Sequence, residues 1–592
     1  MTISKVSSKK YHDEIPQFGM GILSVLIGIF AGFGALAFRM MIGVVHNLLF
    51  LGKFSWYYNA NIHTPPSPWG IFIILVPVIG AIFVSFLVKF APETKGPGVS
   101  EVMAAIYLKE GKIRPIVTLI KALASSISIG SGGSVGREGP IVQISSAFGS
   151  LIGQIVHMPV RQRNILIAAG AAGGIAATFN TPIGALAFGI ELLLASVTAA
   201  SLFPVAVATV TATYIGRIFL GSAPSFYIPE LIVPKFHLLP LPELAIFIPF
   251  GLLLGICAAI FIRGLYWTED KFNAMPGNYY TRHMSGMLIM GLVMYFMMRY
   301  TGHYYVQGIG YATIVDILTG ILTHPWFLLL LVIAKLFSTF ITLGSGASGG
   351  IFSPSLFLGA ALGGAFGLFL HAIFPGLRVE PIVFALAGMA GMVGSATGAV
   401  MTAAIMVIEM TSDNNFVLPI IITVTTAYAV RKLLSSESIF TLKLLRRGEV
   451  VPEGLQSAVM LAKQAKHVMN QDFRLTICAE INMHPDEYFV ESDKKTQTIV
   501  VREDNKIEGV FTYPLAQNNG NKDDAMTYVD THFLIVSSRA SFPDLVRSMK
   551  IKGASYAIVT SPFMSDNSQD VIGVIAEKDI MEASLQSIWL LQ

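Results

Sequence analysis

The sequence predicts an all-α multi-span membrane domain of two inverted repeats with discontinuous helices, followed by a soluble α/β domain. Three observations carry this. Of 592 residues, 53% are hydrophobic and only 13% are charged, with a mean hydropathy of +0.65. A soluble chain carries about 25% charged residues, so most of this one is built for lipid. Second, the chain states one segment twice. Residues 130–140 read Gly-Ser-Gly-Gly-Ser-Val-Gly-Arg-Glu-Gly-Pro, and residues 344–354, 214 positions on (344 − 130), read Gly-Ser-Gly-Ala-Ser-Gly-Gly-Ile-Phe-Ser-Pro. Ala169-Gly170 through Ile190-Glu191 matches Ala387-Gly388 through Ile408-Glu409 at an offset of 218 (409 − 191). Duplicated halves in an apolar chain mark transporters and channels. Third, charge returns and glycine thins after about residue 448, where short β-rich runs such as 498–502 and 556–560 appear.

Residues 1–14, with Lys5, Lys9 and Lys10, read as a cytoplasmic tail, because no cleavage-type box of small residues follows. The membrane domain runs over 15–440, with apolar stretches at 18–38, 69–90, 239–261, 284–298 and 326–342. A span needs about 20 apolar residues, so the shorter segments and the 55 glycines predict tilted, interrupted helices. Pro229, Pro234, Pro240 and Pro242 mark the connection between repeats at about 15–222 and 240–440. Arg431, Lys432, Lys443, Arg446 and Arg447 close the membrane part. Positive charge at both ends places both termini in the cytoplasm, and the composition suits a plasma (inner) membrane. A linker is expected over 441–457 and the soluble domain over 458–592. Cys257 and Cys478 form no disulfide framework. A net charge of +4 gives no indication of nucleic acid as a partner.

The membrane segments carry a pattern suited to anions. Helix N-termini leave backbone N–H groups unpaired and bear about half a positive charge, so anions settle there without Lys or Arg. Irregular backbone in a bilayer is tolerated only where it is buried or lines a cavity. Glycine-rich loops that lead into apolar helices, two of them with Pro in the first turn, occur at Gly96-Pro97-Gly98-Val99-Ser100, Gly136-Arg137-Glu138-Gly139-Pro140 and Gly350-Ile351-Phe352-Ser353-Pro354. Glu138 stands at the repeat position held by Phe352. A carboxylate placed where anions are attracted mimics the ion; the plainer alternative is a capping Glu. Arg137 is read as an acid partner or as a vestibule charge.

Gly-Arg-Glu-Gly-Pro, Gly-Gly-Ile-Phe-Ser-Pro and Phe179-Asn180-Thr181-Pro182 leading to Glu191 resemble the CLC family of chloride channels and proton-coupled chloride exchangers, over nearly the whole chain. The resemblance implies a homodimer with one anion pathway per subunit and the lipid bilayer as its setting. It implies a central anion held by N–H groups of Ile351 and Phe352 beside Gly96, Pro97 and Gly98. An outer anion would sit around Gly136, Arg137 and Gly139, with Glu138 as the gate. The soluble part resembles a pair of CBS motifs. Strand, turn, strand and helix occur at Thr498–Arg502 with Glu508–Thr512, and again at Tyr556–Thr560 with Ile572–Asp579. Nucleotide-binding copies hold phosphate and ribose with a Ser/Thr and an Asp. Here one copy keeps Thr512 but has Leu515, and the other has Ala576 with Asp579. Packing and dimer stabilisation is the first reading; adenine-nucleotide binding is the alternative, and no cofactor is otherwise required. An unrelated ferredoxin-like regulatory domain stays open for this part.

Three positions depart from the family. Pro97 replaces the central-site serine and resembles some plant members that prefer nitrate. Phe440 takes the place of the central-site tyrosine. Leu192 stands where exchangers carry an inner proton glutamate, directly after Glu191. Glu191 projects roughly 100° away around a helix, so Glu191 and Glu409 read as structural carboxylates, with Glu191 kept as a proton-pathway candidate beside Glu138. Leu192 tilts the reading toward a channel passing chloride or a similar anion; the alternative is a chloride (or nitrate)/proton antiporter. An enzyme is not expected: no two of the twelve histidines lie close enough for a His-Glu-x-x-His helix, so no metal site is visible. A divalent-cation channel is disfavoured because helix N-termini repel cations.

Overall fold

The computed structural model describes residues 14–589 except 195–196, 227–239, 378, 412–415, 450, 452–463, 478–496, 504, 514–528, 539, 541 and 562–564. Lys5, Lys9 and Lys10, with Pro229, Pro234, Cys478 and Leu515, lie outside the described residues. The chain forms two compact units, Met1–Gly454 and Leu455–Gln592.

The first unit repeats one series of helices. It begins with α1 (Gln17–Leu51), α2 (Val76–Val88), α3 (Val99–Leu108) and α4 (Ile116–Gly130). It continues with α5 (Glu138–Ile155), α6 (Val160–Phe179), α7 (Pro182–Phe188) and α8 (Ala199–Leu220). After a short α9 (Leu241–Ala245), the second series runs α10 (Phe247–Ala274), α11 (Tyr279–Thr301), α12 (Tyr311–Leu318) and α13 (Pro325–Gly344). It ends with α14 (Phe352–Ile373), α15 (Pro381–Thr397), α16 (Val400–Thr411) and α17 (Val417–Leu434), and α18 (Ile439–Leu445) closes the unit. Thus α1–α8 and α10–α17 correspond in order. Among the described residues, seven helical stretches are long and apolar enough to cross a membrane. By contrast α3, α7, α12 and α16, of 10, 7, 8 and 12 residues, fall well short of the ~20 a span needs. These are the discontinuous helices the loops foreshadow.

The layers follow from side-chain size. Helices α5, α6, α14 and α15 are mostly buried and rich in Gly, Ala and Ser. Small residues let backbones approach where lipid gives no hydrophobic drive between helices. A Cβ at Gly359 would lie 2.1 Å from the Gly388 carbonyl oxygen, and one at Gly388 would lie 2.2 Å from that of Gly359. The outer helices expose large apolar side chains such as Phe33, Val210, Ile256 and Ile421, a surface suited to lipid. Helix α18 crosses the boundary expected at residue 440, so part of the expected linker belongs to the membrane unit.

The second unit carries its own duplication. Strands β1 (Phe473–Ile477), β2 (Gln497–Glu503) and β3 (Lys506–Tyr513) form one sheet, and β4 (Phe533–Ser537), β5 (Tyr556–Thr560) and β6 (Val571–Ala576) another. In each, the first pair is parallel and the second antiparallel, and each middle strand has an irregularity near its end, at Val501/Arg502 and Val559/Thr560. Helices α19 (Phe542–Lys552) and α20 (Glu577–Trp589) complete this α/β unit.

Gly388→Val pushes a branched three-carbon side chain into the Gly359 backbone. Overpacking costs about 1–3 kcal/mol, so the purified variant is expected to melt several degrees lower, or not to accumulate, by thermal denaturation in detergent.

Candidate functional site

Two repeat-equivalent glycines meet at the centre of the membrane unit. The Gly136 N–H donates to the Gly350 carbonyl and the Gly350 N–H to the Gly136 carbonyl, both at 2.7 Å. Reciprocal bonds between repeat mates place a pseudo-twofold axis between them. A Cβ at residue 136 would lie 2.2 Å from Glu138 Oε2 and 3.0 Å from the Ser353 hydroxyl oxygen, so glycine leaves room for both side chains as they stand. The pairing sets the N-termini of α5 and α14 side by side. The third loop packs against them: a Cβ at Gly139 would lie 2.0 Å from the Pro97 carbonyl oxygen, and Gly96 donates to the Ala347 carbonyl at 3.0 Å.

A narrow cavity of about 10 Å³ lies between these ends, lined by Pro97, Glu138, Gly139, Ile351, Phe352 and Phe440 among others. The N–H groups of Gly98, Gly139, Ile351 and Phe352 have no hydrogen-bond acceptor among the described residues. Four buried donors at helix N-termini are an arrangement that can accept an anion. The sequence expectation needs two corrections. Gly96 and Gly136 are not free donors, because their N–H groups are spent on Ala347 and Gly350. They fix the loops instead. Arg137 is buried with its guanidinium 5.5 Å from the centre of the Tyr311 ring, and no carboxylate pairs with it among the described residues.

Glu138 lines this cavity. Its Oε1 accepts from the Tyr311 hydroxyl at 2.7 Å and the Ser353 hydroxyl at 2.5 Å, while Oε2 is buried with no partner among the described residues. Phe440 is brought to the cavity by α18. Ser438 and Thr441 cap that helix reciprocally, the Ser100 hydroxyl donates to the Phe440 carbonyl at 3.1 Å, and Lys443 pairs with Glu101 at 3.1 Å. Ser100 therefore does not replace the hydroxyl missing at Pro97.

Glu191 and Glu409 each accept hydrogen bonds from a helix of the other half. Glu191 accepts from the Met401 N–H (3.1 Å), the Thr402 N–H (2.8 Å) and the Thr402 hydroxyl (2.8 Å), capping α16. Glu409 accepts from the N–H groups of Ile183 (3.1 Å) and Gly184 (2.6 Å), capping α7. Each half thus caps a helix of the other. Leu192 is buried beside Glu191. In the soluble unit, the backbone of Thr512 pairs with Thr498 in its sheet, and the Asp579 carboxylate accepts the Ala576 N–H at 2.7 Å, capping α20.

Sequence reasoning missed a second clip. Lys121 is fully buried and donates to the carbonyls of Thr94 (2.9 Å) and Gly96 (2.8 Å), where Ser348 also reaches Thr94 at 2.7 Å. Its repeat mate Lys335, equally buried, donates to Val306 and Gly308, both at 3.1 Å, and Ser134 reaches Val306 at 2.9 Å. The offset of 214 (335 − 121) was legible, as was the likeness of Gly96-Pro97-Gly98 to Gly308-Ile309-Gly310, but without the fold no carbonyl could be assigned.

A family profile described as "Voltage gated chloride channel" matches residues 79–432. A protein named H(+)/Cl(-) exchange transporter ClcA from Vibrio cholerae is 32% identical over 447 residues, covering 74% of this chain and 90% of its own. A crystal structure of a slow cyanobacterial Cl-/H+ antiporter superposes with a TM-score of 0.61 at 26% identity, covering 74% of this chain and 99% of its own. A eukaryotic CLC transporter shares the fold over 95% of this chain and 98% of its own, with a TM-score of 0.60 at 18% identity.

The reciprocal caps make a stability prediction. A hydrogen bond to a charged group contributes about 1.5–3 kcal/mol, so Glu191→Ala and Glu409→Ala are each expected to lower the melting temperature by several degrees. Glu191→Gln, which keeps an acceptor, should recover part of that loss in the same measurement.

Proposed function

The chain belongs to the voltage gated chloride channel (CLC) family, and from that premise we propose that it passes chloride between the N-termini of α3, α5 and α14 under the control of Glu138. CLC-type anion transport by a multi-pass membrane protein is common ground; the pathway and the gate are the proposal. One observation carries it: Glu138 lines a cavity with Ile351, Phe352 and Gly139, whose N–H groups have no acceptor among the described residues. A carboxylate is the nearest side-chain mimic of a bound anion, and it leaves when protonated or displaced. Burying several N-termini without an anion is costly, so a closed gate and a bound ion are alternatives of one site.

The finer reading is channel-like conduction. Leu192 is buried and cannot hold a proton, and Glu191 is committed to three donors on α16. Proton-coupled exchange is the second reading, favoured by the name of the Vibrio relative. Pro97 and Phe440 leave the central site to backbone donors, which supports acceptance of nitrate beside chloride. A homodimer in a plasma (inner) membrane, with both termini cytoplasmic, completes the reading. The soluble unit is read as a CBS-like packing module: Asp579 already caps its own helix, which argues against its use on the ribose of an adenine nucleotide.

Liposomes holding the purified protein, with a chloride gradient imposed and external pH followed, test this. Chloride efflux without uphill proton movement is expected. Glu138→Ala should raise efflux severalfold at neutral pH and abolish its pH dependence. Uphill proton movement lost in Glu138→Ala would establish exchange instead, and unchanged efflux would remove Glu138 as the gate. Pro97→Ser adds a hydroxyl donor worth about 1.5–3 kcal/mol, so chloride binding by calorimetry should tighten roughly tenfold or more.

A further inference from the structure

Glu138 is held by hydroxyls that come from the other half of the chain. Tyr311 is the first residue of α12, and Ser353 lies in the first turn of α14. The two hydroxyls also lie 3.2 Å from each other, so both converge on one carboxylate oxygen. We propose that Tyr311 is a positioning residue that latches Glu138 in the anion site and so sets the pH at which the pathway opens. The inference rests on the reading of Glu138 as the gate and adds how the gate is held.

The Tyr311 ring has little freedom. It is buried, packed edge-on against Phe226 at 5.1 Å and covered by the Arg137 guanidinium at 5.5 Å. The loop before it is pinned by Lys335 on the carbonyls of Val306 and Gly308 and by Ser134 on Val306. A phenol fixed by packing donates its hydrogen bond without first losing rotamer entropy. The repeat mate of this device, Lys121 with Ser348, pins the loop that carries Pro97. One clip thus serves the central site and its copy serves the latch.

The charged groups around the carboxylate act with the latch. Lys335 of α13 and Glu138 attract each other, and Arg137 adjoins on the gate's own helix. Arg39 of α1 lies near both Arg137 and Tyr311, with Tyr58 beside the two arginines. Two hydroxyl donors on Oε1, from Tyr311 and Ser353, hold the carboxylate in its seat. Protonation weakens both bonds at once, since the neutral acid accepts less strongly and brings a hydrogen of its own into the cluster. Releasing the gate therefore means breaking the latch.

The test is the pH profile of chloride efflux in liposomes for Tyr311→Phe, alone and in a Glu138→Ala background. Losing one donor to the carboxylate is expected to move the half-maximal pH about one unit alkaline, a roughly tenfold shift toward the open gate. In the Glu138→Ala background Tyr311→Phe should change nothing. Should Tyr311→Phe fail to fold, Ser353→Ala removes the second donor and is expected to shift the profile in the same direction. A midpoint unmoved in the folded variant, or an equal change in both backgrounds, would overturn the latch. A Glu138→Ala protein that keeps the parental pH profile would instead overturn the gate on which the latch depends.

Discussion

The paired bonds between Gly136 and Gly350 are the constraint from which the rest of the site follows. They join two repeat mates across a pseudo-twofold axis and bring the N-termini of α5 and α14 together. Each end carries about half a positive charge, so the juxtaposition is unfavourable unless an anion sits between them. In a membrane interior no bulk water relieves it. The geometry therefore demands a negative charge, and Glu138 supplies one from the first turn of α5. A transported ion satisfies the same demand.

The chain uses one physical device in two ways. A carboxylate at a helix N-terminus caps α16 through Glu191 and α7 through Glu409, with backbone donors from the opposite half. Those caps hold the halves together. Glu138 is held more lightly, by two hydroxyls on one oxygen, with the other oxygen unpartnered among the described residues. The fixed clasps engage both carboxylate oxygens with backbone N–H groups; the gate is held through one oxygen alone.

The repeats, the three glycine-rich loops and the oddities at Pro97, Phe440 and Leu192 were all legible, because each is a local pattern or a departure from one. Phe440 does reach the cavity beside Pro97. What stayed hidden needed the register between halves. Nothing local tells whether a loop glycine offers its N–H to an ion or to another strand of backbone, so Gly96 and Gly136 were misassigned. Tyr311 and Lys335 belong to no local motif that marks them. The membrane unit runs past the expected end at residue 440 because the short α18, whose one charge is Lys443, is anchored on Glu101 of α3. Composition sees the charge and misses the partner.

The most direct measurement is anomalous diffraction from crystals of the Glu138→Ala protein grown in bromide. Bromide density between the N-termini of α5 and α14, within hydrogen-bond reach of the Ile351 and Phe352 N–H groups, is the predicted result. Density confined to surface Lys and Arg side chains, with that space empty, would contradict an anion path built from helix ends.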